Sequence, residues 1–90
     1  MEGDKKELLE IIISIKKLKF LEKFLRDLLT PVEFKEIVKR WQVVKELSKK
    51  APQWEISQKL KVGRATITRG SRVLYNKNSS FRKILEKFKK

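Results

Sequence analysis

Apolar positions in the first half of the chain recur at helical spacing, and they predict helices over residues 5–17, 19–29 and 31–49. The run LLEIIISI at residues 8–15 goes most of the way round the first helix. A helix that is apolar on so much of its surface must be buried on more than one side. The second helix also has a wide apolar face, because its leucines and phenylalanines are spaced three and four apart.

The start of the third helix has its own signal in Thr30-Pro31-Val32-Glu33. Thr30 can cap the helix, Pro31 suits its first position, and Glu33 completes a capping box. Lys49-Lys50-Ala51-Pro52 then ends the helix. Its apolar stripe consists of Phe34, Ile37, Val38, Trp41, Val44 and Leu47.

The segment 53–75 predicts a helix-turn-helix, with helices over 53–60 and 64–75. Gly63 suits the N-cap of the second of these helices. The predicted inward positions are Ile56, Leu60, Val62 in the turn, and Ile67. The outward positions of the second helix are Arg64, Ala65, Thr68, Arg69 and Arg72, a face that is small at its start and cationic beyond. Such a helix can enter a DNA major groove, although two ordinary amphipathic helices with a solvated basic face would show a similar pattern.

The polar turn 76–80 precedes a last helix, which Ser79 or Ser80 can cap. Its expected buried residues are Phe81, Ile84, Leu85 and Phe88. No segment requires a strand. We therefore expect one all-α domain over residues 1–90, with a dimer core formed by 1–50 and 76–90 and a helix-turn-helix at 53–75.

Charge and composition favour a polyanionic partner. The 90 residues include 24 Lys or Arg and 11 Asp or Glu, for a net charge of +13. This excess favours nucleic acid first and an anionic membrane surface second. The chain has no Cys and no His, which are the common zinc ligands, and its acidic residues form no paired pattern typical of general acid–base catalysis, so we expect no metal and no enzyme activity. The apolar run 8–15 is too short to span a bilayer and is not a secretory signal, so we expect a soluble, cytoplasmic protein.

The apolar surface of the first two helices exceeds what one short helical domain can cover, although a tightly packed monomer core is the simpler alternative. We expect a homodimer in which these helices interlock. A dimer also brings two reading helices to one face of a DNA duplex, about one turn apart.

The sequence from Leu28 to Leu74 resembles the tryptophan repressor family. The resemblance rests on Leu28-Leu29-Thr30-Pro31, Glu33 and Arg40, and above all on the block ATITRGS at residues 65–71. It implies an intertwined homodimer with six helices in each chain, double-stranded operator DNA as partner, and L-tryptophan as corepressor. The DNA-contacting residues are then expected to be Gln53, Trp54, Ser57, Gly63, Arg64, Ala65, Thr66, Thr68, Arg69 and Arg72.

The resemblance also implies a tryptophan site. Its residues here are Asp27, Leu29, Thr30, Arg40, Arg69, Gly70 and Val73. In the family the indole lies between two arginines, which match Arg40 and Arg69, and Gly70 matches a position left free for the ring. Thr30 matches a family residue that forms a hydrogen bond with the ligand carboxylate. The backbone carbonyl groups around Asp27 and Leu29 match those that accept hydrogen bonds from the ligand ammonium group.

The same residues have simpler explanations that stay open. Thr30 is explained as an N-cap, Arg40 as surface charge, and Arg69 as a phosphate contact. Gly70 costs about 1 kcal/mol inside a helix, so either a ligand or a close helix crossing must require the space.

Some positions depart from the family. Val73 stands where the family has a serine, Asp27 where it has a leucine, and Trp54 where it has an arginine; Arg64 replaces an apolar residue and Lys61 a usual glycine. We expect a sequence-specific transcriptional repressor activated by L-tryptophan. The alternative is a constitutive, ligand-independent DNA-binding regulator of similar fold.

Overall fold

The computed structural model describes residues 2–87, and these residues form six helices with no strand among them. The helices are α1 (Glu2–Ser14), α2 (Leu18–Leu28), α3 (Pro31–Ser48), α4 (Gln53–Leu60), α5 (Arg64–Leu74) and α6 (Ser80–Lys87). The predicted all-α, six-helix fold is therefore confirmed. The chain divides into two compact units, residues 1–34 and 35–90, and each is described by itself.

The first unit contains α1, α2 and the first turn of α3. Helix α1 ends at Ser14, three residues earlier than predicted. The Ser14 hydroxyl donates to the Ile11 carbonyl oxygen at 2.6 Å, and Lys17 adopts an extended conformation before α2. The predicted helix end at residue 17 was wrong. The prediction followed the apolar spacing, which continues to Ile15, but the backbone leaves the helical conformation after Ser14.

Neither α1 nor α2 contains a buried residue within the single chain. Ile13 and Leu18 are 79% and 83% exposed. The expectation that α1 is buried on more than one side is not met by this chain alone. The homodimer thus stays a prediction.

The capping box at the start of α3 is present in full. The Glu33 backbone N–H donates to the Thr30 hydroxyl oxygen at 3.1 Å, and the Thr30 N–H donates to a Glu33 carboxylate oxygen at 2.8 Å. These hydrogen bonds lower the pKa of Glu33, since they favour its ionised form. The sequence prediction for this helix start is confirmed.

The second unit is held by one apolar core that joins α3, α4 and α5. Its buried members are Val43, Val44, Leu47, Ile56, Ile67 and Leu74. Trp41, Leu60, Val62, Phe81 and Leu85 pack around them and are partly buried. The predicted inward positions of the helix-turn-helix are confirmed, and α4 has the predicted bounds.

Two lysines hold the left-handed backbone conformation that ends helices. Lys50, with φ of 64°, follows α3, and Lys61, with φ of 54°, follows α4. In the second turn the Ser57 hydroxyl donates to the Val62 carbonyl oxygen at 2.9 Å. This bond closes the helix-turn-helix turn despite the unfavourable lysine.

Helix α6 begins as predicted, with the Ser79 hydroxyl accepting from the Phe81 N–H at 3.1 Å. Phe81 and Leu85 are partly buried, whereas Ile84 is 40% exposed, so its expected burial is not met by this chain alone. Because the sequence places residues 76–90 in the core of the predicted dimer, burial of Ile84 by a partner chain stays a prediction. Phe88 lies outside the described residues. None of the described helices is long and apolar enough to cross a membrane.

Candidate functional site

A cavity of about 430 Å³ lies in the second unit, where α5 passes between α3 and α6. This volume is within the range of small-molecule sites. Its walls are formed by Arg40, Val44, Ala65, Thr66, Arg69, Gly70, Val73 and Phe81. The structure thus brings together four of the seven residues predicted to bind tryptophan: Arg40, Arg69, Gly70 and Val73.

The charged groups of this wall are both cationic. Arg40 comes from α3 and Arg69 from α5, and both are exposed. Arg40 pairs with Glu36, one turn earlier, at 3.8 Å. Two guanidinium groups on an otherwise largely apolar cavity suit a ligand that has a carboxylate and an aromatic ring.

Gly70 sits where α5 crosses α3. A Cβ atom placed on Gly70 would lie 3.4 Å from Val43 Cγ1, 3.6 Å from Leu47 Cδ1 and 3.7 Å from Val44 Cγ2. These are ordinary van der Waals distances, so the crossing of α5 over α3 is close but would accept a methyl group. Gly70 also forms part of the cavity wall, and the use of that space by a ligand stays a prediction.

Sequence reasoning assigned four of the eight cavity residues to other roles: Ala65 and Thr66 to DNA contact, and Val44 and Phe81 to the helix cores. It also did not predict Val43 and Leu74 as core residues. Phe81 reaches the cavity from α6 and packs edge-on against Trp41, with ring centroids 5.9 Å apart. Val44 was assigned only to the helix stripe, and fully buried Val43 was not assigned at all. The spacing of Val43 and Leu47, four apart, was the available signal.

The outward face of α5 has the predicted exposure. Arg64, Ala65, Thr68, Arg69 and Arg72 are all exposed. No Asp or Glu stands between Glu55 and Glu86 in the sequence, so the local charge of this face is uniformly positive. A positive helix face of this kind attracts the phosphate backbone of nucleic acid.

The other predicted DNA-contacting residues differ in their surroundings. Gln53 and Gly63 are exposed, as is Trp54, with 66% of its surface accessible. Ser57 and Thr66 are only partly exposed. Ser57 uses its hydroxyl proton inside the turn, and Thr66 lines the cavity.

An ion pair links α4 to α3 beside this surface. The Lys59 ammonium lies 3.0 Å from Glu46 Oε1, and the Lys49 ammonium lies 3.8 Å from Glu46 Oε2. The hydrogen bond from Lys59 is the main cause that lowers the pKa of Glu46, and the positive charges of Lys59, Lys49 and Lys45 add to it. The carboxylate is thus stabilised in its ionised form.

The family model of the Trp repressor protein matches residues 4–89 of the chain. The chain belongs to the Trp repressor family. A Trp operon repressor homolog of Actinobacillus succinogenes is 48% identical over 54 residues, which are 59% of this chain. The alignment spans about half of that relative, 54% of its length. The resemblance inferred from ATITRGS is confirmed, and so is the prediction that the chain is not an enzyme, because Trp repressors are DNA-binding regulators.

Three residues of the predicted Trp repressor ligand site lie in the first unit. Asp27, in the last turn of α2, pairs with Lys23 at 2.6 Å. Leu29 follows α2 in an extended conformation, and Thr30 caps α3. Their contribution to ligand binding stays a prediction. No cluster of acidic, His or Cys residues that could hold a metal occurs among residues 2–87.

Proposed function

We propose that this Trp repressor family member is a sequence-specific DNA-binding transcriptional repressor, that it acts as a homodimer, and that L-tryptophan activates it as corepressor. The observation that carries the proposal is the dual role of α5. One side of this helix lines the cavity through Thr66, Gly70 and Val73, and another side presents Arg64, Thr68 and Arg72 outward.

The ligand argument follows from that geometry. A molecule bound in the cavity would touch Arg40 on α3 and Arg69 on α5 at the same time. It would therefore interact differently with different positions of α5 relative to α3. A differential interaction of this kind is what a ligand needs to shift a conformational equilibrium.

The DNA argument rests on charge and helix placement. The net charge is +13, and α5 begins immediately after Gly63 with Arg64 and the small residue Ala65, and Arg69 and Arg72 follow further along the helix. Small residues allow close approach to base edges, while arginines reach guanines or phosphates. The name of the Actinobacillus succinogenes relative, a Trp operon repressor homolog, supports the same assignment.

The decisive experiment combines calorimetry with selection of DNA. L-tryptophan is titrated into the purified chain by isothermal titration calorimetry, and duplexes are selected from a random-sequence pool with and without about 1 mM tryptophan. We expect saturable heat, and an enriched duplex that is bound more tightly with tryptophan than without it. Light scattering should return twice the chain mass of 10.7 kDa.

A constitutive DNA-binding regulator is the second candidate, and Val73 favours it. Val73 lines the cavity with an aliphatic side chain, where a hydroxyl oxygen could have accepted a hydrogen bond from the ligand ammonium group. In that case the same duplex would be selected and bound with equal affinity in the presence and in the absence of tryptophan, and the calorimetric titration with tryptophan would show no heat of binding. An equal response to every duplex would reject both candidates.

A further inference from the structure

The ion pair between Lys59 and Glu46 differs from the other ion pairs that we describe. Those pairs join residues three or four positions apart, whereas Lys59 and Glu46 are 13 positions apart and lie on different helices. The Glu46 side chain is only 14% exposed. Its two carboxylate oxygens each lie near a lysine ammonium group, and the pair with Lys59 connects α3 to α4.

The position of Lys59 near the end of α4 allows this contact to affect the orientation of α5. Lys59 is the second-last residue of α4, and the turn of residues 61–63 leads directly into α5. The residues of α4 that join the apolar core are buried Ile56 and partly buried Leu60. Apolar contacts are non-directional and leave the angle between two short helices weakly determined. A charged hydrogen bond instead has a preferred donor–acceptor distance and direction.

The same part of α3 also supports α5 and the cavity. Val43, Val44 and Leu47 surround Glu46 in sequence and contact the position of Gly70. Val44 lines the cavity as well. An ion pair at Glu46 therefore holds the helix-turn-helix against the segment of α3 on which α5 crosses.

We infer that Glu46 and Lys59 form a latch that sets the orientation of the helix-turn-helix on α3, and that both are positioning residues for sequence-specific DNA recognition. The inference rests on the proposed DNA-binding function. The ion pair would affect DNA recognition through the position of α5. Its loss should therefore change the preference for one DNA sequence over another, which a change of net charge alone does not.

Glu46→Gln separates these two effects by sign. The substitution raises the net charge from +13 by one, so simple attraction to phosphates should strengthen binding to any duplex. Loss of the latch should instead weaken binding to the selected duplex. We expect the ratio of specific to non-specific affinity to fall about fivefold to tenfold, in the range of coupling between contacting residues.

Lys49 offers a matched control. It also lies beside the Glu46 carboxylate and is 67% exposed, close to the 62% of Lys59, but it adjoins the end of α3 itself. Lys49→Gln and Lys59→Gln each remove one cation. Only Lys59→Gln should lower the specificity ratio, and Lys59→Arg, which keeps charge and reach, should preserve it.

The experiment uses the full chain and fluorescence anisotropy with two labelled duplexes, the one selected by the wild-type protein and a scrambled version. The variants are Glu46→Gln, Lys59→Gln, their double variant, Lys49→Gln and Lys59→Arg. Helical circular dichroism at the assay temperature verifies folding. If Glu46→Gln does not fold, the Lys59 variants carry the test, because that side chain is mostly exposed.

The latch is supported if both single variants lower the ratio and the double variant lowers it no further. It is overturned if Lys59→Gln behaves like Lys49→Gln, or if the two single effects simply add. A wild-type protein that prefers neither duplex would instead refute the proposed function. The two failures are therefore distinguishable.

Discussion

Gly70→Ala should raise stability and reduce tryptophan affinity in the same protein. The added methyl group would lie 3.4–3.7 Å from side-chain carbons of Val43, Leu47 and Val44, which is ordinary van der Waals contact. Replacing a mid-helix glycine by alanine gains about 1 kcal/mol, and partial burial of one methyl group adds somewhat less. A gain of about 1 kcal/mol or more corresponds to a rise in Tm of about 4–8 °C.

The expected ligand effect has the opposite sign. Gly70 and Val44 both line the cavity, so a methyl group between them narrows it from the side of α3. One methylene in a tight pocket changes affinity by about 10–200-fold, so the Kd for tryptophan should rise at least about tenfold. A larger side chain such as leucine should also overpack the crossing and lower the Tm.

The assay measures Tm by circular dichroism at one fixed protein concentration, since dimerisation would make Tm concentration-dependent, and Kd by calorimetry. Gly3→Ala is the control, because a Cβ there has no atom within 4 Å and Gly3 is not among the residues that line the cavity. A higher Tm with unchanged tryptophan affinity would mean that Gly70 serves only the helix crossing. A lower Tm would show that the crossing tolerates no methyl group.

Four further outcomes follow from the site and its surroundings. Arg69→Ala should weaken both tryptophan and DNA binding, whereas Arg40→Ala should abolish the tryptophan response and leave basal DNA affinity nearly unchanged, as gel shift titrations would reveal. If about 6–10 phosphates are contacted, DNA affinity should fall about 10³–10⁵-fold between 50 and 200 mM salt; a flat response would contradict the basic-face argument. Lys61→Gly should raise the unfolding free energy by a few tenths to about 1 kcal/mol in urea titrations, because Lys61 has a φ of 54°. Since the bond from Lys59 lowers the pKa of Glu46 from its usual 4.5, the pair stabilises the fold above about pH 4.5, and this contribution is lost as pH falls through the lowered pKa; Glu46→Gln should make acid unfolding less steep.

The sequence predicted most accurately where several local signals agreed. The helix-turn-helix has apolar spacing, a turn valine and an N-cap glycine, and the observed α4 has the predicted bounds of Gln53–Leu60. The start of α3 has a capping box, and both of its hydrogen bonds form. By contrast, α1 has only a long apolar run, which sets no helix end.

Contacts between distant positions were beyond such reasoning. Phe81 was expected to be buried, but its place in the cavity wall depends on how α6 returns to α5. The pairing of Lys59 with Glu46 depends on the angle at which α4 rests on α3. The periodicity of one helix determines neither the path of α6 nor the angle between α4 and α3. Arg40, Arg69 and Gly70 were predicted as site residues from the resemblance to Trp repressors.

The arrangement of α5 has a consequence for how such a regulator can diversify. Positions 64, 68 and 72 are exposed and do not line the cavity, so in the proposed function their side chains would be free to change with the DNA sequence that is read. Ala65 and Arg69 belong to both the exposed face and the cavity wall. If the proposed function holds, a change at either of these two positions alters both surfaces together, so new DNA preferences would arise independently of the ligand response at positions 64, 68 and 72 and jointly with it at positions 65 and 69.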